Sequence, residues 1–276
     1  MKRKFVHSFL IIAIFTLLLA STSGLNVRAQ DIPPAGDLTN ITRSREQALP
    51  SDDGEPFVPD SVSPDSFFPT TDNLLTTSLS EGFDDISLLP GKGWVIINKS
   101  EPVGVIDWFQ GNAGVFAAHS GAENSYIGTN YNSVTGSNTI SNWLLTPELW
   151  LVNGDQFTFW TRRPNTIIYP DRLQVRLSTN GGSDYVGDSP TSVGDFDALL
   201  LDINPSYADD GYPVVWTQYN ITLTGLSSPT RGRIAFRYFV ENGGPDGTRS
   251  NYIGIDTVSS TSAMVAYQYL PVTFKP

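Results

Sequence analysis

From about residue 81 to residue 258 the chain alternates in steps of two. Phe157-Thr158-Phe159-Trp160-Thr161 sets aromatic against polar positions. Arg172-Leu173-Gln174-Val175-Arg176-Leu177-Ser178 puts Leu173, Val175 and Leu177 on one side. Tyr219-Asn220-Ile221-Thr222-Leu223-Thr224 and Arg233-Ile234-Ala235-Phe236-Arg237-Tyr238-Phe239 repeat the pattern. Successive side chains of an extended chain point to opposite faces, so a period of two predicts half-buried strands. Turn signals stand between these runs: Asn153-Gly154, Asn180-Gly181-Gly182, Asp210-Gly211 and Asn242-Gly243-Gly244. No stretch carries a capped helical stripe, and no internal repeat is visible. Many short strands punctuated by glycine-rich turns predict an all-β chain, an antiparallel jelly-roll β-sandwich.

The pattern fails before residue 80. Residues 1–29 open on Lys2, Arg3 and Lys4 and continue into an apolar stretch from Phe9 to Ala20. That stretch is shorter than the about 20 residues a membrane-spanning helix needs. Val27-Arg28-Ala29 places small residues at the positions a signal peptidase reads, so a secretory signal cut before Gln30 is expected, the alternative being an uncleaved anchor helix. Residues 30–79 are rich in Pro, Asp, Ser and Thr, as in Pro50-Ser51-Asp52-Asp53-Gly54-Glu55-Pro56. Their scattered apolar residues bury too little surface to offset the entropy of ordering, so this segment is expected to be a disordered leader. Phe57, Phe67 and Phe68 are its residues best suited to dock on a domain. The folded domain is expected over residues 80–276.

Composition narrows the function. The first 29 residues hold four of the 17 basic residues and none of the 28 acidic ones. The rest carries 13 basic against 28 acidic groups, a net charge of −15. Such a surface repels nucleic acid and anionic lipid and can attract divalent cations. No nucleic-acid partner is expected, and no membrane partner once the signal is removed. The chain has no cysteine, which excludes disulfides, thiolate metal sites and a cysteine nucleophile.

Seven segments, in order, carry a resemblance. They are Leu89-Pro90-Gly91-Lys92-Gly93-Trp94, Asp107-Trp108-Phe109-Gln110-Gly111-Asn112, Ala118-His119-Ser120-Gly121-Ala122 and Ile140-Ser141-Asn142-Trp143-Leu144-Leu145-Thr146-Pro147-Glu148-Leu149. The others are Tyr169-Pro170-Asp171-Arg172-Leu173, Ile234-Ala235-Phe236-Arg237-Tyr238 and Ile253-Gly254-Ile255-Asp256. Together they resemble the choice-of-anchor J domain family, related to the cleaved adhesin domains of bacterial surface proteases. The resemblance implies a jelly-roll sandwich on a secreted or surface-displayed bacterial protein, with no established catalytic activity. Family members commonly carry a C-terminal surface anchor. This chain departs from that pattern, ending Pro271-Val272-Thr273-Phe274-Lys275-Pro276 with neither an apolar helix nor a sorting motif, so release from the cell is expected.

Candidate chemistry centres on acids at the two ends of the domain. Glu81, Asp84 and Asp85 belong to the first strand and Asp256 to the last, and a jelly roll can make these strands neighbours. Calcium takes six to eight oxygen ligands, so these four carboxylates, with an oxygen from Ser120, form the candidate calcium site. Adhesin-like relatives are similar in using such a site structurally. The alternative is that the acids are solvated or paired with arginines. Asp209 and Asp210 read as solvated turn residues.

Enzymatic readings are weaker. His119 is the only histidine after the signal, and Ser120 follows it directly. Neighbours on an extended chain point opposite ways, so they make a poor base and nucleophile. No Gly-x-Ser-x-Gly elbow surrounds a serine, and nothing singles out a pair of carboxylates for glycoside hydrolysis. Among six tryptophans, Trp143 and Trp160 sit in apolar strand contexts and are expected in the core. Trp108, beside Gln110 and Asn112, is the candidate sugar-stacking residue. The expected partner is an extracellular glycan or protein.

Overall fold

A computed structural model describes residues 78–165 and 169–262. The expected signal, nearly all of the leader and residues 263–276 lie outside the described residues. The strands are β1 Leu79–Glu81, β2 Val95–Asn98, β3 Phe109–Gln110, β4 Ile127–Asn130, β5 Asn138–Leu145 and β6 Leu149–Leu151. They continue as β7 Gln156–Arg162, β8 Leu173–Ser178, β9 Ala198–Ile203, β10 Thr217–Thr222, β11 Thr230–Gly243 and β12 Tyr252–Thr261. Among the described residues there is no α-helix, only short 3-10 turns.

The strands form two antiparallel six-stranded sheets. The first runs β10-β7-β12-β4-β3, with β1 also on β12. The second runs β2-β5-β11-β8-β9, with β6 also on β11. The expected antiparallel jelly-roll sandwich is therefore the observed fold. The expected strand at 233–239 is the middle of β11. The one expected at 219–224 is β10 displaced by two residues, because polar Thr217 and Gln218 pair in the ladder opposite Thr161 and Trp160.

The alternation explains the core. Phe157, Phe159, Ile221, Ile253, Ile255 and Val258 face inward from the first sheet. Leu144, Leu173, Val175, Leu177, Ile234 and Phe236 meet them from the second. Phe236 bridges the layers, 4.9 Å from Phe159 and 5.7 Å from Phe157, ring centre to ring centre. Leu79, placed at the end of the leader by composition, already belongs to β1 and packs in this core.

Each sheet also carries a smaller apolar cluster on its outer face. On the second sheet, Trp143, Leu145 and Ala235 pack with Val186 and Phe196 from the β8–β9 connection. Arg237 is buried beside them, its guanidinium 4.0 Å from the Phe239 ring centre and 4.7 Å from that of Trp143. It donates to Ser141 Oγ and Gln174 Oε1, and burial lowers its pKa to about 9. On the first sheet the cover is the connection between β3 and β4, where the candidate site lies.

Candidate functional site

Residues 111–126 fold back over the upper half of the first sheet. Phe116 stacks on Tyr126, with ring centres 5.0 Å apart, and meets Trp216 and Tyr252 edge-on at 5.5 and 5.4 Å. The Arg162 guanidinium lies 4.4 Å from the Phe116 ring centre. Trp216 Nε1 donates to the Ala117 carbonyl at 2.9 Å. Gly254 makes this packing possible, since a Cβ there would come within 2.9 Å of both Phe116 and Tyr126. Burial pushes the Tyr126 phenol up to about 12.

The tip of the connection is held by Asp256. Its Oδ2 accepts from the backbone N–H groups of His119 at 2.8 Å and Ser120 at 3.0 Å. Its Oδ1 accepts from the Thr257 N–H and, at 3.2 Å, from the Thr257 hydroxyl. Burial raises the Asp256 pKa, opposed by these hydrogen bonds. A β-bulge aims the carboxylate. Asp256 pairs with Trp160 but Ser259 pairs with Thr158, and Thr257 between them takes a φ of 49°. Thr257 Oγ1 also meets His119 Nδ1 at 3.0 Å. The imidazole lies on the Trp160 indole, ring centres 3.8 Å apart. His119 and Ser120 are thus fixed by backbone, stacking and one hydroxyl.

The structure brings the terminal strands together as expected. Glu81 pairs with Val258 in the β1–β12 ladder. The carboxylates then part company: β1 ends at Glu81, so Asp84 and Asp85, expected on the first strand, lie in the turn that follows it. Glu81 Oε1 accepts from Phe83 N–H and Oε2 pairs with Lys92, both at 2.8 Å. Asp85 caps the 3-10 turn at Ile86–Leu88 by accepting from Ser87 N and Oγ, which lowers its pKa. Asp84 is exposed, and its Oδ1 would lie 2.9 Å from a Cβ on Gly121. Gly121, at a φ of +82°, therefore brings Asp84 beside the Ser120 end of the clamp. Among the described residues no group of three His, Asp or Glu side chains gathers to hold a metal. The backbone carbonyls of Phe83, Asn124 and Tyr126 converge on Gln110 Nε2, accepting from it at 2.8, 2.7 and 3.4 Å.

The sugar-stacking expectation for Trp108 is corrected. Trp108 is only 2% exposed and packs in the main core. Its polar neighbours misled because a two-residue strand shows no period. Gln110 is a tie, accepting from Ile86 N–H at 3.0 Å while donating to the three carbonyls. Asn112 turns the chain, accepting from Gly114 N–H at 2.8 Å. Trp143 is in the interior as expected, fully buried in the smaller cluster on the second sheet. Trp160 is not in the core but half-buried on the outer face, as the inward Phe159 and Thr161 on either side require.

A second feature lies just past the C-terminal end of β7. Arg163, Asn165, Asp209, Asp210, Tyr212 and Val215 line an open cleft of about 610 Å³. Arg163 donates to the carbonyls of Tyr212, Pro164 and Asp209. Behind it Asp171 is fully buried, accepting through Oδ1 from Tyr238 Oη at 2.6 Å and Asn251 N–H at 2.7 Å. Burial pushes its carboxyl up to about 7.

No family model and no curated protein matches the chain. Solved structures are similar to it. The K1 cleaved adhesin domain of Lys-gingipain from Porphyromonas gingivalis W83 is 22% identical, over 68% of this chain and 99% of that one, with a TM-score of 0.46. The K3 cleaved adhesin domain of the same protein is 21% identical over 67% and 99%, with a TM-score of 0.43. A family 11 carbohydrate-binding module from Clostridium thermocellum, in complex with a β-1,3-1,4-mixed-linked tetrasaccharide, is 12% identical over 71% and 94%, with a TM-score of 0.32.

Proposed function

We propose that this chain is a secreted, adhesin-like bacterial binding module, stabilised by calcium, that does no chemistry on what it binds. The observation that carries this reading is the state of His119. Its ring is stacked on Trp160, its Nδ1 is engaged by Thr257, and its backbone is clamped by Asp256. A general base needs its nitrogen within reach of a substrate proton and its partner carboxylate on the ring. Here the carboxylate holds main chain instead, so the trio reads as a latch for the 111–126 connection. A stiff sandwich presenting long connections is a scaffold on which binding residues commonly sit.

Calcium belongs to this reading at the seam of Asp84, Ser120 and Asp256. What supports it is the approach of Asp84 to Gly121 and the adjoining clamp on Asp256. Carboxylate and backbone oxygens are the donors this ion prefers. Glu81 and Asp85, spent on Lys92 and on a helical turn, fall outside the donor set. A calcium ion there would tie β1 to the connection in a chain without disulfides.

The test is a combined glycan and protein array probed with the purified chain beginning at Gln30, with calcium and with EDTA. Specific retention of at least one ligand, weaker in EDTA, is the expected outcome. Retention of nothing in either condition would contradict the reading.

A further inference from the structure

Below the covered half, the outer face of the first sheet holds a strip of unusual composition. One row crosses four strands in register: Asn220 on β10, Thr158 on β7, Ser259 on β12 and Ser80 on β1. Residues directly opposite in an antiparallel ladder share a face. Thr158 faces outward because Phe157 and Phe159 face the core. The row beneath is Thr222, Gln156 and Thr261. The row above is Gln218, Trp160 and Asp256, the last with its carboxylate fully buried. At about 4.8 Å between strands, the four-strand row is about 14 Å across.

Three properties of this strip point to one kind of occupant. First, the two lower rows contain no charged residue, although the chain has 45 of them and a net charge of −11. Second, its groups are hydroxyls and carboxamides, which both donate and accept. Thr158 and Ser259 bond to each other at 2.7 Å, and Gln156 and Thr222 exchange bonds at 2.9 and 3.1 Å. Gln218, Asn220, Ser80 and Thr261 are exposed, and their side chains have no hydrogen-bond partner among the described residues. Third, the half-buried Trp160 stands at the head of the strip, held in place by His119. His119 covers one face of this indole, so the C–H face of a sugar ring would meet the other, while hydroxyls and amides meet its hydroxyls.

We infer that this strip, bounded by Trp160, Gln218, Asn220 and Ser80, is a binding face for a neutral glycan. The inference rests on the binding-module reading and names the ligand class and the face. The uncharged strip matches an uncharged polyhydroxylated chain, and the acidic remainder of the surface disfavours anionic polysaccharide. The aromatic cluster above is filled by the chain's own Phe116, Tyr126 and Trp216, so the lower rows are where a ligand has room.

The experiment is affinity electrophoresis of the whole secreted chain through gels containing galactan, mannan, xylan, mixed-linkage glucan or, as the anionic comparison, polygalacturonate. At least one neutral polysaccharide should retard the protein, and polygalacturonate should not. Asn220→Lys, an exposed change, should weaken retardation about tenfold, and Trp160→Ala by at least as much, each about 1.4 kcal/mol. Asp210→Asn in the distal cleft should leave it unchanged. Melting curves check that each variant folds. Retardation by polygalacturonate alone, loss in Asp210→Asn but not Asn220→Lys, or no retardation by any neutral polysaccharide would overturn the inference. Should Asn220→Lys instead convert a dimer to a monomer on size exclusion, the strip is a self-association face and the inference falls. A protein that binds an array protein but no neutral glycan keeps the binding-module reading and loses this one.

Discussion

The imidazole of His119 lies on the indole of Trp160 with ring centres 3.8 Å apart and planes 17° from parallel. The contact ties the β3–β4 connection to β7, alongside the Arg162 guanidinium over the Phe116 ring. Aromatic pairs of this geometry contribute about 0.5–1.5 kcal/mol beyond their buried area. His119→Ala is therefore expected to lower the melting temperature by about 2–4 °C for each kcal/mol lost, in a domain of this size. It should also speed proteolysis within residues 111–126. Differential scanning calorimetry and timed protease digestion check the two effects, and an unchanged digestion pattern would show that the latch is elsewhere.

Calcium should separate the acids by role. Binding to the folded state alone adds about 2.7 kcal/mol at a hundredfold excess over the dissociation constant. Melts in calcium and in EDTA should differ by about 5 °C or more. Asp84→Asn and Asp256→Asn should shrink that difference, and Asp210→Asn should not. Asp256→Asn should also destabilise the EDTA form, because the carboxylate accepts two backbone N–H bonds from the connection. Equal melts with and without calcium would remove the ion from the account.

Much of the fold was readable from the alternation alone, because a period of two fixes which residues face inward. The same rule, applied to Phe157-Thr158-Phe159-Trp160-Thr161, would have turned Trp160 outward. Its apolar neighbours concealed that. Trp108 erred the other way, since β3 is too short to show a period and Asp107, Gln110 and Asn112 made it look wet. The pairing of the first and last strands was legible, but the acids expected to meet there do not gather, because β1 ends at Glu81 and Asp84 and Asp85 lie beyond it. What Asp256 does there was not legible. Asp256 binds backbone N–H groups 136 and 137 residues away, and every non-proline residue has one, so no side-chain pattern announces the partner.

Asp171 makes stability depend on pH in a direction opposite to most paired carboxylates. Burial raises its folded-state pKa from 3.8 to about 7. Between about pH 4 and pH 7 the folded chain holds a proton at this site that the unfolded chain has released, so stability falls as pH rises through that window. Asp171→Asn should lose this component, flattening the melting profile relative to the wild type. A wild-type-minus-variant melting difference that rises from pH 4 to pH 7 would contradict the assignment.

Arg237 should tolerate no substitution by lysine. Its planar guanidinium is packed against the rings of Trp143 and Phe239 while donating to Ser141 and Gln174. An ammonium lacks both the flat face and the fork of donors. Arg237→Lys is expected to cost about 2 kcal/mol in chemical denaturation. Arg231→Lys, at an exposed pair with Glu148, should cost at most about 1 kcal/mol.

The most direct test of binding without chemistry is a turnover assay. The purified chain beginning at Gln30, with calcium, is incubated with peptide, ester and glycoside substrates beside His119→Ala, and products are followed by mass spectrometry. The account predicts no product from the wild type above that of His119→Ala. Turnover by the wild type that disappears in a folded His119→Ala protein would contradict it and make the His119–Thr257–Asp256 latch a reaction centre.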